Sequence, residues 1–347
     1  MHMNRIRLAG STALSRPALI RARTRDAMMT FDRATIDSTG VFLISELERL
    51  DQTLHQPLVS ITWSRDIDLR EDVSIADEAS SFTNSSFASA GGATPSGKAW
   101  IGKDSTSITG LALDIGKTSN PLYLWGMEVS YSLPELESAQ KLGRPVDAQK
   151  FQGMQTKHQM DIDEQVYIGD SSLGKYGLVN SDLVTVDTLG NGAAGTATWV
   201  TKSPDEILAD VNTTIQACWA AAGYAVCPGE LRLPPSQFAY VASQKVSDAG
   251  NVSILQFLEE NSISLRVNGR KLNIQPLKWL ATAARSGATA DRMVVYTKAN
   301  DRVRFPLVPL QRTPLEYRSI FHTTTYFGRL GVVEFVYPET VRYADGL

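Results

Sequence analysis

The chain has 347 residues, enough for two packed domains or one with large insertions. Its 43% hydrophobic and 20% charged residues are those of a folded soluble protein, and a net charge of -3 argues against a dedicated nucleic-acid binder. No apolar run approaches the length that crosses a bilayer, and Cys218 and Cys227 lack zinc-type spacing and point to a reducing compartment.

The charge is uneven. Arg5, Arg7, Arg16, Arg21, Arg23, Arg25 and Arg33 against Asp26 and Asp32 give residues 1–33 a local net of +5, leaving -8 for the remainder. Met1 to Arg25 has no compact apolar core of a secretory signal, although it is Arg- and Ser-rich and acid-poor as transit peptides are. Residues 1–38 show no periodicity and read as an extended or partly disordered basic arm. Where it is ordered, such an arm orders against a neighbouring subunit, since it has no core of its own.

From Gly40 a helix is expected, with Leu43, Leu47, Leu50 and Leu54 as its stripe and a stop near Pro57. The stripe fits a core face or a docking face for another chain. Val59, Ile61 and Trp63, then Ile67 and Leu69, alternate with polar residues and predict one or two strands. Residues 79–97 contain no charge, and 15 of the 19 are Ala, Ser, Gly or Thr. Strand patterns resume at Ala99-Trp100-Ile101, Ser107 to Ile115 and Leu122 to Ser130. Residues 65–125 therefore read as a long hairpin with a small-residue tip; a flexible Ser/Gly loop is the alternative. With so few large apolar residues the hairpin cannot bury a core and must lie on something else, in the same chain or a neighbour.

Ser132-Leu133-Pro134-Glu135 is a capping box with proline in the first turn. A short helix is predicted to end at Gly143 and a longer one to restart at Pro145. Phe151, Met154, His158, Ile162 and Val166 recur at three- and four-residue steps along it. Residues 145–168 span about 36 Å at 1.5 Å per residue, so this helix is a strut across a sheet or a plain amphipathic core helix. Asp161, Asp163, Glu164 and Asp170 crowd its C-terminal end, where negative charge opposes the macrodipole by a few tenths of a kcal/mol each. Either solvent or arginines of the basic arm in a subunit contact can compensate.

Leu183 to Leu189 reads as a strand. Gly190-Asn191-Gly192-Ala193-Ala194-Gly195 matches G-x-G-x-x-G, but Thr196 to Val200 after it is β-like, and a phosphate site needs a helix opening there; a glycine-rich turn explains it. Ser203-Pro204-Asp205-Glu206 opens a second helix with Leu208, Val211, Ile215 and Trp219 as its stripe and Gly223 as its stop. A strand at Leu231–Leu233, helices over 237–244 and 253–260, strands at 272–277 and 293–296, and alternation over 320–343 follow. The mixture, with hairpins dominating, is α+β.

No catalytic or metal motif is present. The four histidines, His2, His55, His158 and His322, have no second ligand at metal spacing, and there is no P-loop, G-x-S-x-G or H-E-x-x-H. No catalytic residue, cofactor or metal ligand is therefore named.

Three stretches carry a family resemblance. They are Val166-Tyr167-Ile168-Gly169-Asp170 with Gly177-Leu178-Val179-Asn180, Glu230-Leu231-Arg232-Leu233-Pro234-Pro235, and Gly331 to Glu339 with Tyr343-Ala344-Asp345-Gly346. In this order and spacing the chain, over most of 40–347, resembles the major capsid proteins of tailed bacteriophages, with the Hong Kong 97-type fold. The resemblance implies an N-terminal arm with a short helix (1–58), an extended hairpin loop reaching over a neighbour (59–125), and a peripheral domain with a spine helix (126–198). An α/β axial domain (199–316) and return strands of the peripheral domain (317–347) complete it. It also implies hexamers and pentamers of the chain around packaged double-stranded DNA in a virion, assembled in the host bacterial cytoplasm. A separate scaffolding protein is implied because the arm is too short to serve as one; a portal and a decoration protein are further expected partners. Contact with DNA would be weak and non-specific, with no membrane involved. The subunit-contact candidates are Arg21, Arg23, Arg25, Lys98, Lys103, Asp161, Asp163 and Glu164. Some relatives crosslink a loop lysine to an asparagine, but neither Lys98 nor Lys103 has an identifiable partner, so that chemistry is not carried over. The rival readings are an encapsulin-like compartment enclosing cargo enzymes, a soluble enzyme with a site near Cys218 and Cys227, and an adhesin or decoration protein.

Overall fold

The computed structural model describes residues 59–89, 111–141, 146–247, 251–284 and 290–347. The expected arm, the helix from Gly40, the strand pattern at Ala99-Ile101 and the hairpin tip beyond Ser89 lie outside them. The elements in order are α1 (Trp63–Asp66), β1 (Asp68–Arg70), β2 (Ala79–Ser89), β3 (Leu111–Pro121), β4 (Tyr123–Ser132), α2 (Leu133–Lys141) and α3 (Val146–Tyr167). Then come β5 (Val186–Thr188), α4 (Pro204–Ala221), β6 (Glu230–Leu233), α5 (Pro235–Ser243), α6 (Ile254–Asn261), α7 (Ile263–Asn268) and β7 (Asn273–Pro276). The chain closes with β8 (Arg292–Tyr296), β9 (Val303–Arg312), β10 (Glu316–Arg318), β11 (Phe321–Leu330), β12 (Glu334–Phe335) and β13 (Val341–Asp345). It divides into two compact units, and passes between them before α1, within β4, within α3, after β9 and within β11.

The larger unit holds residues 62–128, 162–314 and 324–347. Its five-stranded sheet runs β5-β13-β8-β6-β7, with β8 antiparallel to both neighbours and β5 and β7 parallel to theirs. All five residues of β8 are buried. Val294 and Tyr296 face a cluster with Ile162, Val166, Tyr167, Phe305 and Tyr343; Met293 and Val295 face another with Ile207, Val211, Ile215 and Leu231. A strand covered on both faces reads as a continuous apolar run, which is the pattern of Met293 to Tyr296. Each such side chain contributes about 1.5–3 kcal/mol by leaving water. Residues 341–345, grouped by sequence with the return strands, pair into this sheet between β5 and β8.

A second sheet in this unit is centred on β9. It pairs with β1 in parallel (Leu69↔Phe305), and with β12 and the later part of β11 antiparallel (Glu334↔Arg304, Leu330↔Leu307). Strands β2 and β3 form a hairpin ladder in unbroken register from Ala79↔Pro121 to Ser89↔Leu111.

The smaller unit includes residues 129–161 and 315–323. Here Ser132 caps α2, accepting from Glu135 N at 3.3 Å, and Lys150 of α3 pairs with Glu135 at 2.7 Å. The β10–β11 turn places Ser319 at φ 58, and its Ile320 carbonyl accepts from Leu133 N at 3.0 Å.

Three local expectations are corrected. Trp63 to Asp66 is a helical turn, not part of a strand, because Asp163 supplies acceptors for its first N–H groups. Thr196 to Val200 is not β-like. Its loop is latched to α4 instead: Lys202 Nζ donates to the Gly190 carbonyl (2.7 Å) and to Asp210 (2.6 Å), which also accepts from Trp199 Nε1 (3.0 Å). The strand expected over Leu183–Leu189 is confined to Val186–Thr188. Helix α7 and strand β9 were not anticipated.

Candidate assembly interface

The hairpin has two unlike faces. Partners in the ladder share a face, so Ser80, Asn84, Gly116 and Asn120 lie on one and Ser81, Ser85, Ile115, Leu113 and Leu111 on the other. The Ser81 and Ser119 hydroxyls bond at 3.2 Å across the second face. The first face meets the subunit at its base: Ser80 bonds to Glu334, and Asn84 Nδ2 donates to the Val336 carbonyl at 3.3 Å. The second face carries Leu111, Leu113 and Ile115, which are 69%, 54% and 61% exposed. Three large aliphatic side chains in a row on a bare strand are a surface that another surface covers, or an aggregation hazard.

The acidic end of α3 does not form one cluster. Asp161 pairs with Lys157, one turn back, at 2.5 Å. Asp163 is buried, and both its oxygens are engaged inside the larger unit. Oδ1 accepts from Thr62 N (2.8 Å) and Trp63 N (3.0 Å), and Oδ2 accepts from Trp279 Nε1 (2.9 Å), with Lys278 Nζ at 3.6 Å. It caps a remote helix rather than waiting at the surface for arginines. Glu164 is exposed. Arg21, Arg23, Arg25, Lys98 and Lys103 lie outside the described residues.

The turn after α3 is a close backbone crossing. A Cβ on Gly177 would lie 2.3 Å from the Tyr167 carbonyl group, and one on Gly169 (φ 75) 2.5 Å from the Lys175 oxygen. Asn180 closes the knot, accepting from Gly177 N (2.7 Å) and donating to the Ile168 carbonyl (2.8 Å). The Gly-Asp and Gly-Leu-Val-Asn motifs are thus explained by packing.

Under the five-stranded sheet lies a charged set that the sequence reading missed. Buried Asp66 accepts from Arg65 Nε (2.7 Å), Tyr167 OH (2.5 Å) and Arg232 Nε (2.8 Å). Arg232, also fully buried, donates to Glu230 (2.8 Å) and to the Leu231 and Asn273 carbonyls (3.0 Å each), and its guanidinium lies 5.4 Å from the Tyr296 ring centre. A parallel pair, Arg292 and Asp345, bonds at 2.6 and 2.8 Å. Burial pushes the Asp66 carboxyl up, but the Arg65 and Tyr167 hydrogen bonds and the Arg232 charge outweigh it, and the net shift is down. Burial raises Tyr167. The signal was present: Arg232 sits between Leu231 and Leu233, and alternation in a strand buried on both faces points that arginine inward.

The two thiols offer no nucleophile. Both are buried; burial pushes Cys218 up to about 12 and raises Cys227 as well, so neither is a thiolate at neutral pH. Among the described residues no His, Cys, Asp or Glu group is arranged to hold a metal. The Gly190–Gly195 loop cannot cradle a phosphate as it stands, because Ala193 N donates to the Glu206 carboxylate at 2.7 Å and an anion would meet that charge.

The family model for the major capsid protein matches residues 97–347. The chain belongs to the major capsid protein family. No curated protein matches it. The solved capsid of the Myoviridae phage XM1 is similar at 17% identity and a TM-score of 0.68, covering 89% of this chain and 99% of that one. The capsid of a native GTA particle matches at 11% identity and a TM-score of 0.54 (86% and 94% covered), and that of Mycobacterium phage Che8 at 11% and 0.51 (88% and 98%). The fold is therefore the Hong Kong 97-type capsid fold, and this capsid protein is a structural head subunit whose place is the virion. Membership implies self-assembly into capsomers. Among the described residues no helix is long and apolar enough to cross a membrane.

Proposed function

We propose that copies of this capsid protein join as hexamers and pentamers into a closed shell around packaged double-stranded DNA. The observation that carries the reading is the β2–β3 hairpin, tied to its own subunit at the base and presenting Leu111, Leu113 and Ile115 outward. A neighbouring copy covers this face in the shell. In the proposed layout 59–125 is the extended loop, 126–198 and 317–347 form the peripheral domain, and 199–316 is the axial domain.

The basic arm, through Arg21, Arg23 and Arg25, bridges to a neighbour through its exposed Glu164 and its partly exposed Asp161, which Lys157 already pairs; Asp163 is excluded by its internal bonds. Lys98 and Lys103 are loop contacts. A separate scaffolding protein guides assembly in the host cytoplasm, a portal and a decoration protein complete the head, and the chain has no catalytic role. Contact with DNA stays weak, as +5 on the arm supports no more.

The test is assembly of the purified full chain, viewed by negative-stain electron microscopy. Shells are expected, and a protein that remains monomeric or a small oligomer under all conditions refutes the reading. Nuclease-protected DNA inside particles from infected cells supports a phage head; enclosed cargo protein in its place supports an encapsulin-like compartment. Removal of residues 1–33 should impair assembly and leave the subunit folded, and normal shells from the truncated chain refute the bridging role.

A further inference from the structure

We propose that Glu334 is the positioning residue of the β2–β3 hairpin, a buried carboxylate that sets the direction in which the hairpin leaves the subunit. The inference rests on the shell reading above. Glu334 stands in the two-residue strand β12 and is fully buried. It gathers three separate segments. Arg304 of β9, directly opposite in the ladder, donates Nε to Oε2 at 2.7 Å. Arg70, at the end of β1, reaches the same oxygen through Nη1 at 3.3 Å. Ser80, at the start of β2, bonds to Oε1.

Arg70 doubles the clamp. Its Nη1 also donates to Ser80 Oγ and to the Ser81 carbonyl, both at 2.9 Å, and its far edge is held by Asp72 at 2.6 and 3.1 Å. The other strand is tied as well: Leu122 N donates to the Glu78 carbonyl (2.9 Å), and the Leu122 carbonyl accepts from Arg329 Nη1 (3.2 Å).

Among the described residues the contacts that orient the hairpin lie in its lower half, the farthest out being Asn84 to the Val336 carbonyl, opposite Gly116, and β3 is exposed from Leu111 to Ser119. The residues beyond that tie, Leu111 to Ile115, at about 3.3 Å each make a lever of about 16 Å, so a rotation of about 10° moves the far end by about 3 Å. A change of that size decides whether an apolar face meets its neighbour in register. A carboxylate suits the task because it accepts from two guanidiniums and a hydroxyl at once, at fixed angles. A side chain lacking the charge leaves Arg70 and Arg304 without the carboxylate they share.

The experiment measures direction and not only stability. Ala112→Cys on the hairpin and Asp301→Cys on the body are exposed sites for spin labels, and the native cysteines are buried. Double electron–electron resonance on unassembled full-length subunits should give a narrow distance distribution. Glu334→Gln should broaden it about twofold, Glu334→Asp should restore most of the width by returning the charge, and Ser80→Ala should broaden it less. Shells grown from Glu334→Gln should vary in diameter. Unchanged distributions in both Glu334→Gln and Ser80→Ala overturn the proposal; if Glu334→Gln does not fold, Ser80→Ala alone decides it. Failure of the unsubstituted protein to form shells refutes the shell reading, whereas the distance measurement still reports on the clamp.

Discussion

Strands β8 and β3 are built on the same kind of antiparallel ladder, yet their surroundings are opposite. Every residue of β8 is buried, with clusters on both faces and paired charges beneath. The first nine residues of β3 are exposed, and its apolar row faces outward. A ladder alone does not stabilise a two-stranded ribbon, because its hydrogen bonds replace bonds to water at a net gain of only about 1 kcal/mol each. The sheet carries the stability of the subunit. The hairpin carries surface that gains stability only when another surface covers it.

That contrast can be broken first at the sheet. Arg232→Met leaves buried Asp66 without its fully buried charge partner, and leaves Glu230 without Arg232 as well, and should cost about 3–5 kcal/mol, read as a lower denaturation midpoint. An unchanged midpoint means the charged set is not holding the sheet. The same site gives a pH dependence. The Asp66 pKa is depressed in the folded state, so its contribution is fully present above the ordinary carboxylate range and is lost as pH falls through the depressed value. In Arg232→Met the depression should shrink, so the part of the stability that is lost in acid should be smaller, visible in unfolding curves recorded across the acid range.

Gly177→Ala comes next, at about 2–4 kcal/mol, because the added Cβ meets backbone that cannot step aside. Tyr167→Phe removes one donor to Asp66 and should cost about 1–2 kcal/mol, checked by the same unfolding curves. At the hairpin the order of effects inverts. Leu113→Ser with Ile115→Ser should change subunit stability by less than about 0.5 kcal/mol, since neither side chain is buried in the subunit. The same pair should abolish shells by electron microscopy. Intact shells from it would show that the outward face is not what a neighbour covers.

Much of the fold was legible in the sequence because its signals are local. The capping box at Ser203 and Glu206 is formed, with Ser203 N donating to Glu206 at 2.8 Å, and Met154, His158, Ile162 and Val166 are the buried face of α3. Phe151, at the same spacing, is exposed. The alternation of β2 and β3 was readable as a hairpin from composition. What stayed hidden depends on partners far away in the chain. Asp163 reads as an unfavourable charge at a helix end, and only the fold reveals that it caps α1, 100 residues earlier. Trp63 and Ile67 keep an alternating pattern that a remote cap overrides. Glu334, Arg70 and Arg304 each look like ordinary strand charges, and their convergence is a property of sheet pairing.

The order β5-β13-β8-β6-β7 also has a consequence in time. β13 lies between strands that precede it by 40 residues or more in the chain, and it supplies Asp345 to the buried Arg292. During synthesis the sheet therefore stays incomplete, with the β8 edge open and β5 without its partner, until residues 341–345 have left the ribosome. Pairing of such distant segments is slow, and an open sheet exposes edges. A nascent subunit accordingly cannot complete this fold early, which delays its competence to join a growing shell until translation has passed that strand.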